Sequence, residues 1–319
     1  MTRTSQQECR GILEWQGAGL ERSKSMAEEK KGCASASTCS KESCAGCASA
    51  NKKNPFEVET NPNARIKHVI GIVSGKGGVG KSLVTSLLAC AMNKKGYKTA
   101  ILDADITGPS IPQAFGIKEK AKSDELGIWP VTTDQGIKVM SINLLLDNIT
   151  DAVIWRGPMI AGAVRQFWTD VNWGDIDYML VDMPPGTGDV ALTVMQSIPI
   201  NGIVMVSVPQ DMVSMIVAKA VNMVRKLNIE IIGLVENMSY IVCPDCGNKI
   251  QIFKGNDTEK LLDDLQLNLL GTLPMNAGLG NVSVGVYKDG DEEVEGLFNP
   301  IVINLLNSLK EIEAKKTQA

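Results

Sequence analysis

The eight residues from Gly75 to Ser82 constrain the fold of this chain more than any other stretch. They read Gly-Lys-Gly-Gly-Val-Gly-Lys-Ser, which fits the phosphate-binding loop pattern of a glycine, four free positions and Gly-Lys-Ser/Thr. The apolar run 68–73 before the loop predicts a buried strand, and 83–95 after it predicts a helix with an apolar face. Strand, loop and helix in this order predict a nucleotide site. The alternative is a glycine-rich turn that fits the pattern by chance.

Each part of this loop has a predicted role in holding ATP. The glycines let successive backbone N–H groups point at phosphate oxygens, and the positive end of the following helix dipole adds to the attraction. We expect Lys81 to reach the β- and γ-phosphates and the Ser82 hydroxyl to bind Mg²⁺. The residues predicted to contact the nucleotide here are Gly75, Lys76, Gly77, Gly78, Val79, Gly80, Lys81 and Ser82.

A second lysine, Lys76, follows the first glycine of the loop. A short loop does not easily aim two lysines at one phosphate group, and this pattern resembles the deviant loop of the MinD/ParA/nitrogenase iron-protein class. The resemblance implies a homodimer that closes on ATP, in which Lys76 reaches the partner's nucleotide and works like an arginine finger. The alternative is a lysine exposed on a turn.

Aspartates follow two of the predicted strands at the position where open parallel sheets bind their ligands. Asp105 comes after the strand predicted at 98–102 and is the candidate for orienting the attacking water, with Asp103 nearby. Asp182 ends the apolar strand 177–182, which is the Walker B arrangement, where the carboxylate holds Mg²⁺ directly or through water. The predicted catalytic residues are Lys76, Lys81, Asp105 and Asp182.

Two further residues are predicted to contact the nucleotide. Gly186 lies in the Pro-Pro-Gly-Thr-Gly segment after the Walker B aspartate, where its backbone N–H can bind the γ-phosphate and the loop can sense hydrolysis. Asn237 follows the apolar run 230–235 and is the candidate for hydrogen-bonding the adenine edge. The alternative for Asn237 is an asparagine that forms a turn.

Apolar strands alternate with helical stretches over most of the chain, which predicts an α/β fold with a mostly parallel sheet and helices on both faces, as in P-loop NTPases. The segments 128–131 and 136–142 predict a peripheral β-hairpin, and 300–314 predicts a terminal helix. Residues 1–64 have few large apolar groups and predict a flexible arm, so that 65–319 forms the ATPase domain.

The chain has eight cysteines and no secretion signal, which favours thiol chemistry or metal binding over a disulfide framework. Cys243 and Cys246 form a C-x-x-C pair, which resembles half of a zinc ribbon and is two ligands short of a zinc site or a cubane. Either the N-terminal cysteines or a twofold-related subunit completes the set of four ligands.

The N-terminal arm contains a candidate second metal site. An iron–sulfur cluster is favoured there over zinc, and the alternative is a tail whose cysteines have no fixed role. The cysteines of this site are Cys33, Cys39, Cys44 and Cys47.

Charge and hydropathy exclude two classes of partner. The net charge of −4 and the pI near 5.3 give no overall basic footprint for nucleic acid. No stretch of about 18 apolar residues is present, and the first residues lack the apolar run of a signal peptide. We therefore expect a cytoplasmic protein with neither a nucleic-acid nor a membrane partner.

Five motifs in order resemble the Mrp (ApbC-like) iron–sulfur cluster carrier ATPases over about residues 64–310. They are the loop with its second lysine, 105–110, 182–189, 236–239 and the C-x-x-C pair. The resemblance implies a homodimer in which the Cys243 and Cys246 pairs of both subunits hold one [4Fe–4S] cluster, with ATP binding and slow hydrolysis coupled to its delivery to apo-proteins.

Two features depart from that family. In its long-arm branch the C-x-x-C lies in the middle of the N-terminal cysteine series, whereas here it comes last. The family also tends to carry an arginine soon after the Leu-Pro of its late strand, and 275–280 contains none.

The favoured hypothesis from the sequence is an ATP-gated cluster carrier, and it has two rivals. A positioning ATPase of the MinD/ParA type needs a DNA-binding surface or a membrane-binding tail, and 310–319 is too polar for an amphipathic anchor. An ATPase dimer stapled by structural zinc remains open, because zinc and iron both accept four thiolates.

Overall fold

A central sheet organises the part of the chain that the structure describes. The structure is a computed structural model, and it describes residues 59–106, 108–125, 127–146, 157–252, 258–275 and 292–318. The strands in these ranges are β1 (Arg65–Ser74), β2 (Thr99–Asp103), β3 (Lys122–Asp124), β4 (Gly127–Trp129), β5 (Val131–Thr132), β6 (Lys138–Met140), β7 (Asp175–Asp182), β8 (Gly202–Ser207), β9 (Ile231–Val242), β10 (Lys249–Gln251) and β11 (Leu269–Pro274). Nine of the described strands form one sheet in the order β10-β9-β8-β1-β7-β2-β6-β5, with β11 also paired to β9.

Helices cover this sheet. Those in the described ranges are α1 (Lys81–Lys94), α2 (Ile111–Ala114), α3 (Gly157–Thr169), α4 (Asp189–Ser197), α5 (Asp211–Lys226), α6 (Thr258–Leu265) and α7 (Glu292–Gln318). Every residue of β2 and of β8 is buried, so side chains that point to either face of the sheet are covered. The predicted α/β fold with helices on both faces is therefore confirmed. None of the helices in the described ranges is both long and apolar enough to cross a membrane.

The parallel strands at the centre of the sheet bring the motifs to one edge. β1 pairs in parallel with β7 and with β8, and β2 pairs in parallel with β7. The carboxyl ends of these four strands therefore meet, and the phosphate loop, the aspartate motifs and the start of α5 all follow them. Asp103 and Asp182 are direct partners in the β2–β7 register.

The predicted peripheral hairpin is only partly correct. Of its first segment, 128–131, only Val131 pairs with the second segment, together with the adjacent Thr132, whereas Gly127–Trp129 pairs with Lys122–Asp124 in a separate two-stranded sheet. β6 also pairs in parallel with β2, so it belongs to the main sheet and is not peripheral. Val139 and Met140 are fully buried, and this burial explains why the segment joins the sheet.

The strand predicted at 230–235 is much longer than expected. β9 continues through Asn237 to Val242, because β11 pairs with it as far as Tyr240 and β10 pairs with Tyr240–Val242, so both supply partners beyond the predicted end. The register of the pairing between β9 and β11 shifts after Thr272. Thr272 pairs with Glu236, but Pro274, two residues later, pairs with Tyr240, so β9 has two extra residues there. Met238 lies in this bulge with φ of 54°, in the left-handed region that a non-glycine residue seldom adopts.

The start predicted for the terminal helix was also wrong. The predicted helix 300–314 starts at Pro300, but α7 begins at Glu292 and contains Pro300 in its interior. The buried residues of α7 repeat at helical spacing on both sides of the proline: Val294, Phe298, Ile301, Val302, Leu305 and Leu309. Burial of this apolar face outweighs the local cost of the proline.

Candidate functional site

The phosphate loop lies in a narrow space between α5 and β9. A Cβ atom on Gly75 would stand 2.7 Å from Ile216 Cγ2 and 3.2 Å from the Ile216 carbonyl carbon. Gly80 has φ of 82°, and a Cβ atom there would stand 2.3 Å from Asn237 Nδ2. Glycine is therefore required at both positions for steric reasons that come from the surrounding chain, in addition to the approach of a phosphate.

The Lys81 ammonium group lies against the Walker B carboxylate. Its Nζ is 2.7 Å from Asp182 Oδ1, and both side chains are buried, Lys81 with 6% exposure and Asp182 with none. The Ser82 hydroxyl donates to Asp182 Oδ2 at 2.6 Å. The Thr85 hydroxyl lies 2.9 Å from both Asp182 Oδ1 and the Lys81 carbonyl oxygen, and donates to one of them. Lys81 and Asp182 thus form an ion pair at the position where phosphate and Mg²⁺ are predicted to bind.

Two further aspartates complete the acidic side of this site. Asp103 is fully buried, accepts a hydrogen bond from the Ser141 hydroxyl at 2.9 Å, and accepts another from the Asp105 N–H at 3.2 Å. Burial, together with repulsion from Asp182, raises the pKa of Asp103 to about 8. An Asp105 carboxylate oxygen lies 3.7 Å from Lys81 Nζ, so the predicted water-orienting residue stands beside the predicted phosphate-binding lysine.

The second lysine of the loop is held within its own chain. Lys76 Nζ donates a hydrogen bond of 2.6 Å to Gln210 Oε1. Its carbonyl oxygen accepts a hydrogen bond of 2.9 Å from the buried Ser74 hydroxyl, which fixes the backbone of the loop. Lys76 is half-buried, so it does not match the alternative of an exposed lysine on a turn. Its predicted reach into a partner stays a prediction.

The segment after the Walker B strand contacts the end of β1, immediately before the phosphate loop. Gly186, with φ of 85°, donates its backbone N–H to the Ser74 carbonyl oxygen at 2.9 Å. The same N–H was predicted to bind the γ-phosphate, and in this structure it is already used. A contact between Gly186 and phosphate therefore requires the hydrogen bond to Ser74 to open.

Asn237 lies directly beneath the loop. Its side chain is buried, and its Nδ2 donates to the Val79 carbonyl oxygen at 2.9 Å. Asn237 lies inside β9, so the alternative of an asparagine in a turn after a strand was wrong. The amide braces the phosphate loop, and its predicted contact with adenine stays a prediction.

The C-x-x-C pair forms the tip of a hairpin. β9 and β10 pair antiparallel, and the turn between them is closed by hydrogen bonds from Cys243 N–H to the Asn248 carbonyl and from Gly247 N–H to the Cys243 carbonyl, each 2.9 Å long. Gly247 adopts φ of 71°, which this turn requires. Cys243 is half-buried, Cys246 is exposed, and both thiols are free. The two sulfurs are accessible ligands on a short, hydrogen-bonded turn.

We expect the metal-free, reduced protein to be alkylated at Cys243 at a lower pH than an ordinary cysteine. The backbone N–H groups of Cys246 and Asp245 point at the Cys243 sulfur and lower the pKa of its thiol, so the reactive thiolate forms earlier as the pH rises. Iodoacetamide labelling over a pH series, read by peptide mass spectrometry, measures this shift.

The same labelling experiment contains its own controls. Burial raises the pKa of the Cys90 thiol to about 12, so Cys90 should stay unlabelled until the protein is unfolded. In guanidinium chloride the Cys243 profile should move to higher pH, because the two N–H groups no longer face the sulfur. An identical Cys243 profile in the folded and unfolded protein would contradict this assignment.

Sequence reasoning missed three residues that shape the nucleotide site. Thr85 lies one helical turn after Lys81, so the spacing of four residues was an available signal. Gln210 follows β8, a neighbour of β1, and the rule that ligands gather at the carboxyl ends of strands points to it. Ser141 offered no signal, because it reaches Asp103 only through the pairing of β6 with β2.

Some predicted features lie outside the described residues. They are the N-terminal cysteines Cys33, Cys39, Cys44 and Cys47, and, from the segment where an arginine was expected, 276–280. The candidate second metal site and the boundary of the arm at residue 64 stay predictions.

Comparison with known proteins connects this geometry to one family. A ParA family model, described as NUBPL iron-transfer P-loop NTPase, matches residues 65–302. An iron–sulfur cluster carrier protein of Clostridium perfringens is 49% identical over 257 residues, which cover 74% of this chain and 90% of that protein. A protein of the same name from Methanococcus maripaludis is 44% identical over 257 residues, which cover 79% of this chain and 87% of that protein.

Solved structures agree with the fold. A nucleotide-binding protein from Archaeoglobus fulgidus, solved in complex with ADP, is 43% identical, with a TM-score of 0.61 over 68% of this chain and 86% of that one. The cell division ATPase MinD of Pyrococcus furiosus gives a TM-score of 0.54 over 75% of this chain and 98% of that one, but at 19% identity it supports the fold alone. The resemblance to carrier ATPases predicted from the motifs is confirmed, and the chain belongs to the NUBPL iron-transfer P-loop NTPase family.

Proposed function

We propose that this protein is an ATP-dependent iron–sulfur cluster carrier. In this proposal a homodimer holds one [4Fe–4S] cluster between its subunits and transfers it to apo-proteins. The observation that carries it is the placement of two accessible thiols at the end of β9, the strand that also braces the phosphate loop through Asn237. The names of the relatives at 44% and 49% identity support the same activity.

The nucleotide part of the proposal requires Lys81 to exchange its partner. Lys81 leaves Asp182 and binds the β- and γ-phosphates, which compensate its charge in place of the carboxylate. The hydroxyl of Ser82 and the carboxylate of Asp182 are hard oxygen donors 2.6 Å apart, a donor set that fits Mg²⁺. Bound there, Mg²⁺ would neutralise charge on the phosphate oxygens.

Hydrolysis needs an oriented water molecule and a positive charge beside the transferring phosphoryl group. Asp105, beside Lys81, orients the water that attacks the γ-phosphorus, so that the bond to the ADP oxygen breaks and ADP and phosphate form. Lys76 of one subunit enters the site of its partner and stabilises the negative charge of the transferring phosphoryl group. When the γ-phosphate is present, the Gly186–Ser74 hydrogen bond opens and the Gly186 N–H binds the phosphate instead. The segment that follows β7 therefore changes its conformation with the nucleotide state.

The cluster part of the proposal requires ligands from two subunits. Within the described ranges, no group of three or more His, Cys, Asp or Glu side chains is arranged to hold a metal ion, so the hairpin offers two thiolates. A second copy would supply the other two. Exposed apolar side chains lie on this hairpin and at the end of the neighbouring β11, and they suit a protein interface: Ile241, Val242, Ile250 and Met275.

Anaerobic reconstitution with iron and sulfide tests this function. We expect about four irons and four sulfides per dimer, with the Mössbauer spectrum of a [4Fe–4S] cluster. Cys243→Ser with Cys246→Ser should lose this cluster while keeping its fold, because neither side chain belongs to the buried core. A variant with serine in place of the four arm cysteines, Cys33, Cys39, Cys44 and Cys47, is the matched control, and it should keep the hairpin-dependent iron.

A different metal content would overturn the carrier function. If the wild type held zinc tightly and contained no labile sulfide, the protein would instead be an ATPase dimer whose subunits are joined by structural zinc. Iron that remains in the hairpin variant and disappears in the arm variant would assign the cluster to the arm and remove the hairpin from this role. Transfer is then measured with an apo-protein that gains activity on receiving a [4Fe–4S] cluster, with ATP and without it.

A further inference from the structure

The side chain of Gln210 has one evident task in this structure. Gln210 is the residue that precedes α5, and its side chain makes no capping hydrogen bond to that helix. Its backbone N–H donates to the Val208 carbonyl at 2.8 Å, which fixes the turn between β8 and α5. The side-chain oxygen accepts the 2.6 Å hydrogen bond from Lys76 Nζ. A half-buried acceptor on a fixed turn thus holds the second lysine of the phosphate loop.

The surrounding contacts bring these two residues together. Gly75 packs against Ile216 with no room for a side chain, so the loop lies directly on α5 beside Gln210. The Ser74 hydroxyl holds the Lys76 carbonyl oxygen, and the Ser74 carbonyl holds the Gly186 N–H. The Lys76–Gln210 contact therefore belongs to the same closed arrangement that keeps Gly186 from the phosphate position.

We propose that Gln210 is the positioning residue that keeps Lys76 in its own subunit until a second nucleotide-loaded subunit arrives. This inference rests on the proposed function in one respect, the action of Lys76 on the nucleotide of the partner. The Lys76–Gln210 hydrogen bond must break before the lysine crosses the interface, so its strength sets how readily the ATP-bound dimer forms. Gln210 does not touch the reacting atoms.

Two substitutions of nearly equal size change this hydrogen bond in opposite directions. Gln210→Met keeps the length of the side chain and removes the acceptor, which releases Lys76. Gln210→Glu keeps the acceptor and adds a negative charge, so a charge-assisted hydrogen bond holds the lysine more firmly. Salt should weaken the added attraction, because the site is half-buried and partly screened.

The experiment measures ATP-dependent dimerisation by sedimentation and ATPase rate over a range of protein concentrations. We expect Gln210→Met to raise the rate at limiting protein concentration, and Gln210→Glu to lower it, each by about threefold to tenfold. Binding of a fluorescent ATP analogue to the monomer is measured on the same variants, and the ATPase rates are compared at saturating ATP, so that a change in nucleotide affinity is separated from a change in dimerisation. Raising the salt concentration should bring Gln210→Glu back toward the wild type.

Lys76→Ala completes a double-mutant cycle. In that background Gln210→Met and Gln210→Glu should have no further effect, because the lysine they act on is gone. Gln166→Glu, an exposed position on α3, is the control for an added surface charge and should leave all readouts unchanged.

Each result of this cycle decides the proposal. Shifts of both Gln210 variants in the same direction, or equal effects with and without Lys76, would overturn it. Lys76→Ala with wild-type dimerisation and ATPase would overturn both this inference and the trans role of Lys76. None of these assays contains iron, so a failure of the carrier function would appear in the reconstitution experiment and not here.

Discussion

Replacing Lys81 by methionine should lower ATP hydrolysis by about 10²–10³-fold, the usual effect of removing one group that stabilises transition-state charge. The ammonium of Lys81 is the buried cation of the phosphate loop, 2.7 Å from Asp182. Without it the phosphates lose their partner and Asp182 is left as a buried carboxylate with no cation in contact. The loss of an ion-pair partner at such a site costs about 3–5 kcal/mol of folding stability. Steady-state ATPase assays and urea unfolding measure the two effects separately.

A second substitution separates chemistry from folding. Asp182→Asn in the Lys81→Met background removes the unpaired charge, so it should restore most of the lost stability and none of the activity. The amide still accepts hydrogen bonds from Ser82 or Thr85, which keeps the local packing. If the double variant recovered ATPase activity, Lys81 would have no role in catalysis. If it stayed as unstable as Lys81→Met, the ion pair would not explain the loss of stability.

Gly80→Ala is the second change with a large expected effect, and it should abolish measurable nucleotide binding. The added methyl group meets Asn237 Nδ2 at 2.3 Å, and alanine is strained at the φ of 82° that the loop requires. Both effects push the loop away from the geometry that holds phosphate. We expect a loss of at least about 1–3 kcal/mol in folding stability, as is usual for overpacking a buried site, together with a loss of binding of the fluorescent ATP analogue.

Two matched variants divide this effect into its causes. Gly96 also has a positive φ, 90°, but an added Cβ atom there has nothing within 4 Å, so Gly96→Ala reports backbone strain alone, about 1–2 kcal/mol. Asn237→Ala in the Gly80→Ala background removes the clash and should recover part of the stability. Equal costs for Gly80→Ala and Gly96→Ala would show that the contact with Asn237 is unimportant.

The parts of the site that the sequence predicted are those encoded by short, local spacing. The loop pattern placed Lys81 and Ser82, and an apolar run that ends in aspartate placed Asp182, because a parallel sheet brings the carboxyl ends of its strands together. The C-x-x-C spacing likewise predicted a pair of thiols for one metal centre, and the structure has both cysteines on one turn. In each case a few neighbouring residues determine the geometry, so no long-range contact had to be known.

The parts that escaped prediction depend on pairing between distant segments. The Asn-Met-Ser sequence after 230–235 favours a turn, yet β11 pairs with this stretch and keeps it in the sheet with a bulge at Met238. The contact of Gln210 with Lys76 joins residues 134 positions apart. Single-sequence patterns describe local preference, and these features are set by tertiary contacts that override it.

The part of β9 beyond Asn237 sets the distance between the phosphate loop and the two thiols. From Asn237, inside β9, to Cys243, just after its end, the chain advances six residues, about 20 Å at the usual rise and somewhat less across the bulge. This is more than twice the screening length of about 8 Å at physiological ionic strength, so the charge of the nucleotide in the proposed function would be largely screened from the exposed thiols. A signal between them has to travel as a displacement of the backbone, and the left-handed residue Met238 lies in its path. In the proposed carrier this part of β9 would act as a mechanical link between the phosphate loop and the thiols, and its effect would be largely insensitive to salt concentration.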